Sequence, residues 1–297
     1  MLKVVYSDSM VLSRSEASGP GASKAAAVTR RALLHLPVSL LAPKTPLPPE
    51  ILALAHDPEY VRGVAEGSVK NGFGTNSRAV YDQAVACSTA MTEAAILAVK
   101  ERTIVCVPAS GFHHAGYANG WGFCTFNGLM LATLVARATL GPLKVLIIDG
   151  DAHDGDGTND IVETLGIRDV RNLTGPDLHG PSHYGFAAIL DALRSEAWDL
   201  VLYQAGADAH EDDPFGAGYL SDTEWDDRDR LVFKFCAGHK IPVVFTFAGG
   251  YAGAATEELH YRTMRSAAQQ LAVHRAPLPI LHLPGNVPEV AVAVKSA

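Results

Sequence analysis

The segment LKVLIIDGDAH, residues 143–153, decides the fold of this chain. Its first half is apolar at consecutive positions, which is typical of a strand that is buried on both faces of a parallel sheet. Its second half carries Asp149, Asp151 and His153 at every second position. Side chains two residues apart in an extended chain share a face, so we expect these three groups to face the same way.

Three other segments share this design, in which a buried apolar run ends in polar or glycine-rich residues. They are TIVCVPAS (103–110), which leads to His113 and His114; DLVLYQAGADAH (199–210), which leads to Asp208 and His210; and IPVVFTFAGGY (241–251), which leads to Gly249, Gly250 and Tyr251. Amphipathic segments of helical length separate these runs. In open parallel sheets, ligands bind at the carboxyl ends of the strands. We therefore expect the four sets of residues to meet at one edge of the sheet.

The predicted fold class is α/β, with one doubly wound, mostly parallel sheet, helices on both faces, and a single domain over residues 1–297. Further strands are predicted at LKVVYS near the front and near VSLLAP. The first hundred residues are otherwise expected to be mostly helical.

Composition narrows the class of protein. The chain has 297 residues, 48% apolar and 19% charged, with a net charge of −8 and no basic run longer than two residues. This balance argues against a nucleic-acid partner. The longest apolar run contains His35 and two prolines and is too short for a membrane span. Four widely spaced cysteines fit reduced thiols, so a cytoplasmic location without a membrane partner is expected, and a homo-oligomer remains possible.

A metal site is the most specific functional hypothesis. Asp151 and His153, together with Asp208 from another strand, offer one imidazole and two carboxylates to a divalent cation and leave positions for water or substrate. Such a set suits Zn²⁺ and also takes Fe²⁺, Mn²⁺ or Co²⁺. The competing interpretation is that Asp151 and Asp154 cap the following helix while His153 is a surface residue.

The adjacent residues His113 and His114 are expected to have hydrogen-bond partners, because both nitrogens of a buried neutral imidazole need one. Asp149 and Asp156 are available carboxylates that would fix their tautomers. A metal-bound water deprotonated by a His–Asp pair would then attack a carbonyl. A tyrosine hydroxyl at position 251, after two glycines, is able to stabilise the developing oxyanion.

Five motifs resemble the superfamily of histone deacetylases, acetylpolyamine amidohydrolases and acetoin-utilisation proteins. They are GFHHA (111–115), FCTFN (123–127), DGDAHDGDGT (149–158), GADAHEDDP (206–214) and AGGY (248–251), and LAHDPEYVRGVAEG (54–67) is similar to an upstream helix of that superfamily. The resemblance implies an arginase-like α/β fold and hydrolysis of the amide of an acylated amine, such as acyl-lysine or another small molecule.

The resemblance also implies a role for individual residues. Zinc would bind Asp151, His153 and Asp208, and a structural potassium ion would bind Asp149 and the carbonyl groups of Asp151 and His153. The implied catalytic residues are His113 as general base backed by Asp149, His114 backed by Asp156, and Tyr251 polarising the carbonyl. The implied substrate contacts are Gly122, whose carbonyl would accept the amide N–H, and Phe123, Phe215 and Gly249.

The chain departs from the superfamily pattern in places that concern the substrate. An N-terminal H-x-x-R-P-E-R segment is replaced by SRSEASGPGASKAAAVTRR (13–31), and Asp154 stands where a second histidine is common. Phe215 occupies the position of a glutamate in polyamine-selective members, which disfavours a cationic substrate tail. The acidic residues Glu211, Asp212 and Asp213 could still supply a counter-charge. For the second aromatic residue of the channel, His183 and Tyr184 are the candidates.

Three alternatives to an acyl-lysine deacetylase stay open. The first is a deacetylase of acetylpolyamines or other small N-acyl amines. The second is a ureohydrolase with two manganese ions, although that class needs D-x-D where this chain has Asp208-Ala209-His210 and a GGDH-type turn in place of GFHHA. The third is an inactive module that binds acyl-lysine.

Overall fold

Seven parallel strands form one open sheet in the computed structural model, which describes residues 1–13, 24–175, 178, 182–216 and 218–275. The strands are Leu2–Val5 (β1), Val38–Leu41 (β2), Ile104–Val107 (β3), Val145–Asp149 (β4), Val170–Leu173 (β5), Leu200–Gln204 (β6) and Val243–Thr246 (β7). Their order is β2-β1-β3-β7-β6-β4-β5. The four strands β3, β7, β6 and β4, which precede the polar segments, are therefore neighbours in the centre of the sheet.

Helices connect the strands and cover the sheet. They are Lys24–His35 (α1), Pro49–Leu52 (α2), Pro58–Glu66 (α3), Arg78–Glu101 (α4), Gly128–Leu140 (α5), Asp156–Thr164 (α6), Ser182–Ser195 (α7), Asp222–His239 (α8) and Ala254–Arg275 (α9). Every residue of the four central strands is buried, so both faces of the sheet are covered. In the described ranges, no helix combines the length and apolarity needed to cross a membrane.

Local sequence signals explain where helices begin and end. The Asp57 carboxylate accepts hydrogen bonds from the backbone N–H groups of Glu59 and Tyr60 at the start of α3, which satisfies donors that a helix leaves unpaired. Pro58 follows as the first helical residue, where its missing N–H costs nothing. The helix ends at Gly67, whose φ of 73° is the left-handed conformation that glycine adopts without strain. Helix α8 begins with a capping box formed by Ser221 and Glu224.

The predicted sheet is confirmed, including its parallel pairing and the two N-terminal strands, which are β1 and β2. The strand β5 was not predicted, because its four residues carry the polar Arg171 and Asn172 and it lies at the edge of the sheet. Helices α1 and α9 were also not predicted individually.

Candidate active site

The loops that follow β3, β4 and β7 line a cavity of about 240 Å³ at the carboxyl edge of the sheet. Five of the residues singled out from the sequence line it, namely His113, His114, Asp151, His153 and Tyr251. Asp208, in the turn after β6, is fully buried beside Asp151 and His153. The expected convergence of four strand ends is therefore present, although residues more than 90 positions apart in the sequence contribute to it.

Asp151, His153 and Asp208 form the one group in the described part of the chain with metal-ligand geometry. The Nδ1 atom of His153 lies 3.1 Å from Asp151 Oδ1 and 3.1 Å from Asp208 Oδ2, and the three ligand atoms all lie within 4.8 Å of one another. Zinc binds nitrogen and oxygen ligands at about 2.0–2.2 Å, so one cation fits between these atoms. An imidazole with two carboxylates is a donor set that a divalent cation prefers.

The chain reaches this arrangement through loops rather than through an extended strand. Strand β4 ends at Asp149, so Asp151 and His153 lie in the segment after it. The carboxylate of Asp149 contacts His113 and does not belong to the metal group. We expected Asp149, Asp151 and His153 to lie on one face of a single extended strand. This expectation was wrong, because the strand ends at Asp149.

Backbone groups hold the two carboxylates of the metal group in place. The N–H of Gly249 donates to Asp151 Oδ2 at 2.7 Å, and the N–H of Ala152 donates to Asp208 Oδ1 at 3.1 Å. The buried Arg228 donates to the carbonyl of Gly150 at 2.8 Å and toward that of Gly206 at 3.5 Å. These bonds fix the loops after β4 and β6 relative to each other.

The electrostatics of the group favour a positive charge between its carboxylates. Burial and the neighbouring charge of Asp151 raise the pKa of Asp208 to about 7. Hydrogen bonds to Asp151 and Asp208 raise the pKa of His153 to about 10. Two adjacent buried carboxylates cannot both ionise without compensation. A divalent cation in the same place would provide that compensation.

Each of the paired histidines has a carboxylate behind it. His113 Nδ1 lies 2.7 Å from Asp149 Oδ2, and His114 Nδ1 lies 2.7 Å from Asp156 Oδ1. Gln204, at the end of β6, donates to Asp149 Oδ1 at 2.8 Å and so orients the first pair. The spare carboxylates suggested from the sequence are thus in contact with the rings, whereas the contribution of Gln204 was missed.

The two histidines are electrostatically different. Although burial opposes a charge on His113, the carboxylates of Asp149 and Asp151 raise its pKa to about 9. Burial and the charge of His113 lower the pKa of His114. Their ring centroids are 4.1 Å apart, so the two rings titrate as a coupled pair in which a positive charge on one ring disfavours a charge on the other. In this pair His113 holds the added proton more readily, and His114 favours the neutral form.

Tyr251 is held at the cavity by its backbone. Its N–H donates to Asp213 Oδ2 at 2.6 Å, and the other oxygen of Asp213 accepts from the N–H of Phe215 at 3.0 Å. Burial and the charges of Asp151 and Asp208 raise the pKa of the Tyr251 hydroxyl. The hydroxyl therefore stays protonated and available as a donor. Asp213 is occupied by backbone groups and is 8% exposed, so it is not a free counter-charge.

Aromatic rings line the outer part of the cavity. Phe123 is 46% exposed and lies edge-on to Phe73, with ring centroids 5.3 Å apart. Trp121 covers His114 at 4.2 Å. Gly122 has a φ of 56°, and a Cβ there would lie 2.4 Å from the His114 ring, so only glycine fits. Phe73 lies in the loop NGFGTN, and no sequence motif indicated that it would line the cavity. The side chains of His183 and Tyr184, the candidates for the second aromatic residue of the channel, lie outside the described residues.

Phe215 lies beside the cavity rather than in its wall. Its ring is 65% exposed and packs edge-on against Tyr251 at 5.5 Å, but it is not among the residues that line the cavity. Its role as a substrate contact remains a prediction. Gly249 does line the cavity, and it also supports the metal group through its N–H.

Two competing interpretations conflict with the geometry. Helix α6 has Gly155 at its N-cap and no side-chain hydrogen bond there, so Asp151 and Asp154 do not cap it. His210 packs against Trp225, with ring centroids 6.5 Å apart, and does not belong to the metal group of the described residues. A second set of metal ligands, which a dimanganese site needs, is therefore not found in the described ranges.

Gly249 generates a prediction about metal binding. A Cβ at this position would lie 2.0 Å from Asp208 Oδ2 and 2.7 Å from Asp151 Oδ2, so Gly249→Ala should displace both carboxylates. We expect divalent-metal affinity to fall about 10- to 100-fold, as for other changes that misorient metal ligands. Competition with a chromophoric chelator measures this. Gly111→Ala is the matched control, because its Cβ would meet no atom closer than 3.7 Å, and equal affinity in both variants would contradict the role of Gly249.

Comparisons with known proteins show which family the chain resembles. The family model described as the histone deacetylase domain matches residues 22–186 and 181–267. An uncharacterized protein of Picosynechococcus sp. is 29% identical over 225 residues, covering 68% of this chain and 75% of its own length. Histone deacetylase 2 of Arabidopsis thaliana is 30% identical over 169 residues, covering 48% of this chain and 42% of its own.

A solved structure supports the same fold. The HD domain of HDA15 superposes with a TM-score of 0.71 at 20% sequence identity and covers 92% of this chain and 94% of that one. At this identity the likeness concerns the fold alone. The family model spans more than half of the chain, and the strand order and the site described above are consistent with it. The chain therefore belongs to the histone deacetylase family.

Proposed function

We propose that this protein is a zinc-dependent hydrolase that removes an acyl group, acetyl in the first instance, from an acylated amine of the acyl-lysine type. Family membership supports a hydrolase that acts on amides. The observation that carries the finer proposal is the meeting of three groups in one cavity: the metal group, the two His–Asp pairs and Tyr251. In amide hydrolysis the metal group would polarise the carbonyl, the His–Asp pairs would transfer protons, and Tyr251 would stabilise the oxyanion.

Zinc is the proposed metal, held by Asp151, His153 and Asp208, with Fe²⁺ as the alternative. When bound, a divalent cation at this position polarises the substrate carbonyl and lowers the pKa of water. The proposed potassium ion would lie under the same loop, at Asp149 and the carbonyls of Asp151 and His153. The side chain of Asp149 already accepts hydrogen bonds from His113 and Gln204, so its negative charge is shared among several groups.

The residues of the chain divide the proton transfers between them. His113, backed by Asp149, would accept the proton of the attacking water once a cation on Asp151 and Asp208 offsets the charges that raise its pKa. The His113–Asp149 and His114–Asp156 pairs then return a proton to the leaving amine. The protonated hydroxyl of Tyr251 donates to the oxygen of the former carbonyl. The Gly122 carbonyl accepts the substrate amide N–H, and Phe123 and Phe73 contact the aliphatic chain. Burial of an uncharged methylene chain against these apolar side chains is favourable, whereas a buried ammonium without a partner costs several kcal/mol.

A small N-acyl amine, including an acetylpolyamine, is the second candidate substrate. Glu211 and Asp212 are exposed on the loop before Phe215, and either could attract a cationic tail. Asp213 is less suited, because its carboxylate accepts two backbone N–H groups. A module that only binds acyl-lysine is disfavoured, since such a protein has no need of the proton donors and acceptors around the metal group.

Asp208 tests the metal assignment. Asp208→Asn keeps the shape of the side chain and removes its charge, so bound metal and activity should both be lost while the fold is kept. Elemental analysis and circular dichroism of the purified variant measure this. Asp212→Asn, on an exposed side chain of the same loop, is the control and should retain both. Stoichiometric zinc and undiminished turnover in Asp208→Asn would contradict the ligand set.

Tyr251 tests the oxyanion role. Tyr251→Phe removes one donor and should lower kcat by about 10²- to 10³-fold, the usual loss for one oxyanion donor. Zinc content and the affinity for a linear hydroxamate, which binds metal, should change little. Single-turnover kinetics with an acetyl-lysine peptide provide the measurement. A rate equal to that of the unaltered protein would limit the Gly249-Gly250-Tyr251 segment to a structural turn.

Phe215 tests the choice of substrate. We expect an acetyl-lysine peptide to exceed N-acetylputrescine and N8-acetylspermidine in kcat/KM, because a buried ammonium without a partner costs several kcal/mol. Phe215→Glu should raise kcat/KM for the acetylpolyamines and leave the peptide value nearly constant. Phe215→Gln controls for the loss of the ring. A tenfold or greater preference of the unaltered protein for an acetylpolyamine would show that another acid serves the cation.

A further inference from the structure

A buried ammonium group lines the cavity, and the mechanism above does not use it. Lys24 is the first residue of α1 and is 4% exposed. Its Nζ donates to the carbonyls of Ala248 at 2.5 Å and Gly250 at 3.5 Å. None of the ion pairs among the described residues includes Lys24, so this ammonium has only carbonyl partners there. A buried charge with such partners is able to bind an anion.

Lys24 and the metal group line the same cavity. The cavity is also lined by the buried residues Met10, Leu12 and Cys87 and by the half-buried Gln83, and we refer to these residues together with Lys24 as the inner part of the cavity. Lys24 is the one lysine or arginine among the lining residues that the structure describes. The amide of Gln83 is occupied by the Met10 carbonyl and the Cys87 thiol. Among these five side chains, Lys24 is therefore the one that carries a charge.

The distance between Lys24 and the metal group has an upper limit. The Lys24 Nζ bonds to the Ala248 carbonyl, and the next backbone N–H, that of Gly249, bonds to Asp151 Oδ2 at 2.7 Å. Adding these contacts to the C=O and C–N bond lengths places Nζ at most about 8 Å from that oxygen. A four- or five-carbon diacyl group spans about 4–5 Å between its two carboxyl carbons. With a hydrogen bond of about 2.8 Å, it bridges this gap.

Charge balance favours an anion at Lys24. Burial lowers the pKa of Lys24 to about 8, while the charges of Asp208, Asp151 and Asp213 act in the opposite direction. A divalent cation bound to Asp151 and Asp208 would neutralise two of these three charges. The ammonium would then lose most of its favourable electrostatic surroundings. A carboxylate in the inner part of the cavity would restore them.

We propose that Lys24 forms a subsite for the terminal carboxylate of a dicarboxylic acyl group, so that the protein hydrolyses succinyl- or glutaryl-lysine in preference to uncharged acyl groups of the same length. This inference rests on the proposed deacylase function. In the reaction, water adds across the amide, the C–N bond breaks, and the products are the free dicarboxylate and the lysine amine. No further reactant is needed.

Four peptides that differ only in the acyl group on lysine test the subsite. They carry acetyl, butyryl, succinyl and glutaryl groups, and butyryl matches succinyl in chain length without the charge. We expect kcat/KM for succinyl or glutaryl to exceed that for butyryl by tenfold or more. Lys24→Met should abolish this ratio, and Lys24→Arg should keep it. The ratio is the readout, because Lys24 also supports the Ala248–Gly250 turn and its loss is expected to lower all rates.

Binding to Tyr251→Phe protein provides a readout that does not depend on turnover. Fluorescence anisotropy should show tighter binding of the succinyl peptide than of the butyryl peptide, and the added Lys24→Met change should remove the difference. If the acetyl peptide is hydrolysed and kcat/KM for the butyryl peptide equals or exceeds the values for the succinyl and glutaryl peptides, the subsite is overturned. The proposed function then still stands. Absence of hydrolysis with all four peptides overturns both. Since the unaltered protein decides the first comparison, a variant that fails to fold does not obscure the result.

Discussion

Three carboxyl groups, those of Asp149, Asp151 and Asp208, are buried at the carboxyl edge of one sheet, and the surrounding structure compensates their charge. Asp149 is bound by His113 and Gln204. Asp151 and Asp208 are bound by backbone N–H groups and share the ring of His153. Because uncompensated buried charge is costly, this requirement accounts for the polar residues at four strand ends. It also explains why a divalent cation suits the site.

The strand order makes this compensation possible. Strands β3, β7, β6 and β4 are adjacent although they are far apart in the sequence, so their loops can exchange hydrogen bonds. Arg228 on α8 links two of these loops by donating to the carbonyls of Gly150 and Gly206. Its own charge is balanced by the buried Asp229, which also accepts from Tyr203 and Thr263. The metal group is thus supported by a second buried network under the loops.

The sequence was sufficient to predict six of the seven strands and most of the residues that meet at the edge of the sheet, for a definite reason. Consecutive apolar residues mark a buried strand, and polar residues directly after several such strands indicate a shared ligand site. The same reasoning could not find Lys24 or Phe73, since a single lysine in an alanine-rich segment and a single phenylalanine in a loop carry no periodic signal. Their positions depend on how distant segments pack. The edge strand β5 was missed because its short, partly polar sequence resembles a loop.

The central claim is that Asp151, His153 and Asp208 bind one catalytic metal ion. Anomalous diffraction at the zinc absorption edge, from crystals of the zinc-loaded protein, tests it most directly because it locates the ion independently of activity. The account predicts one strong peak about 2.0–2.2 Å from His153 Nδ1 and from an oxygen of each carboxylate. A fully loaded protein with no peak at this position, or with its peak at other side chains, would contradict it.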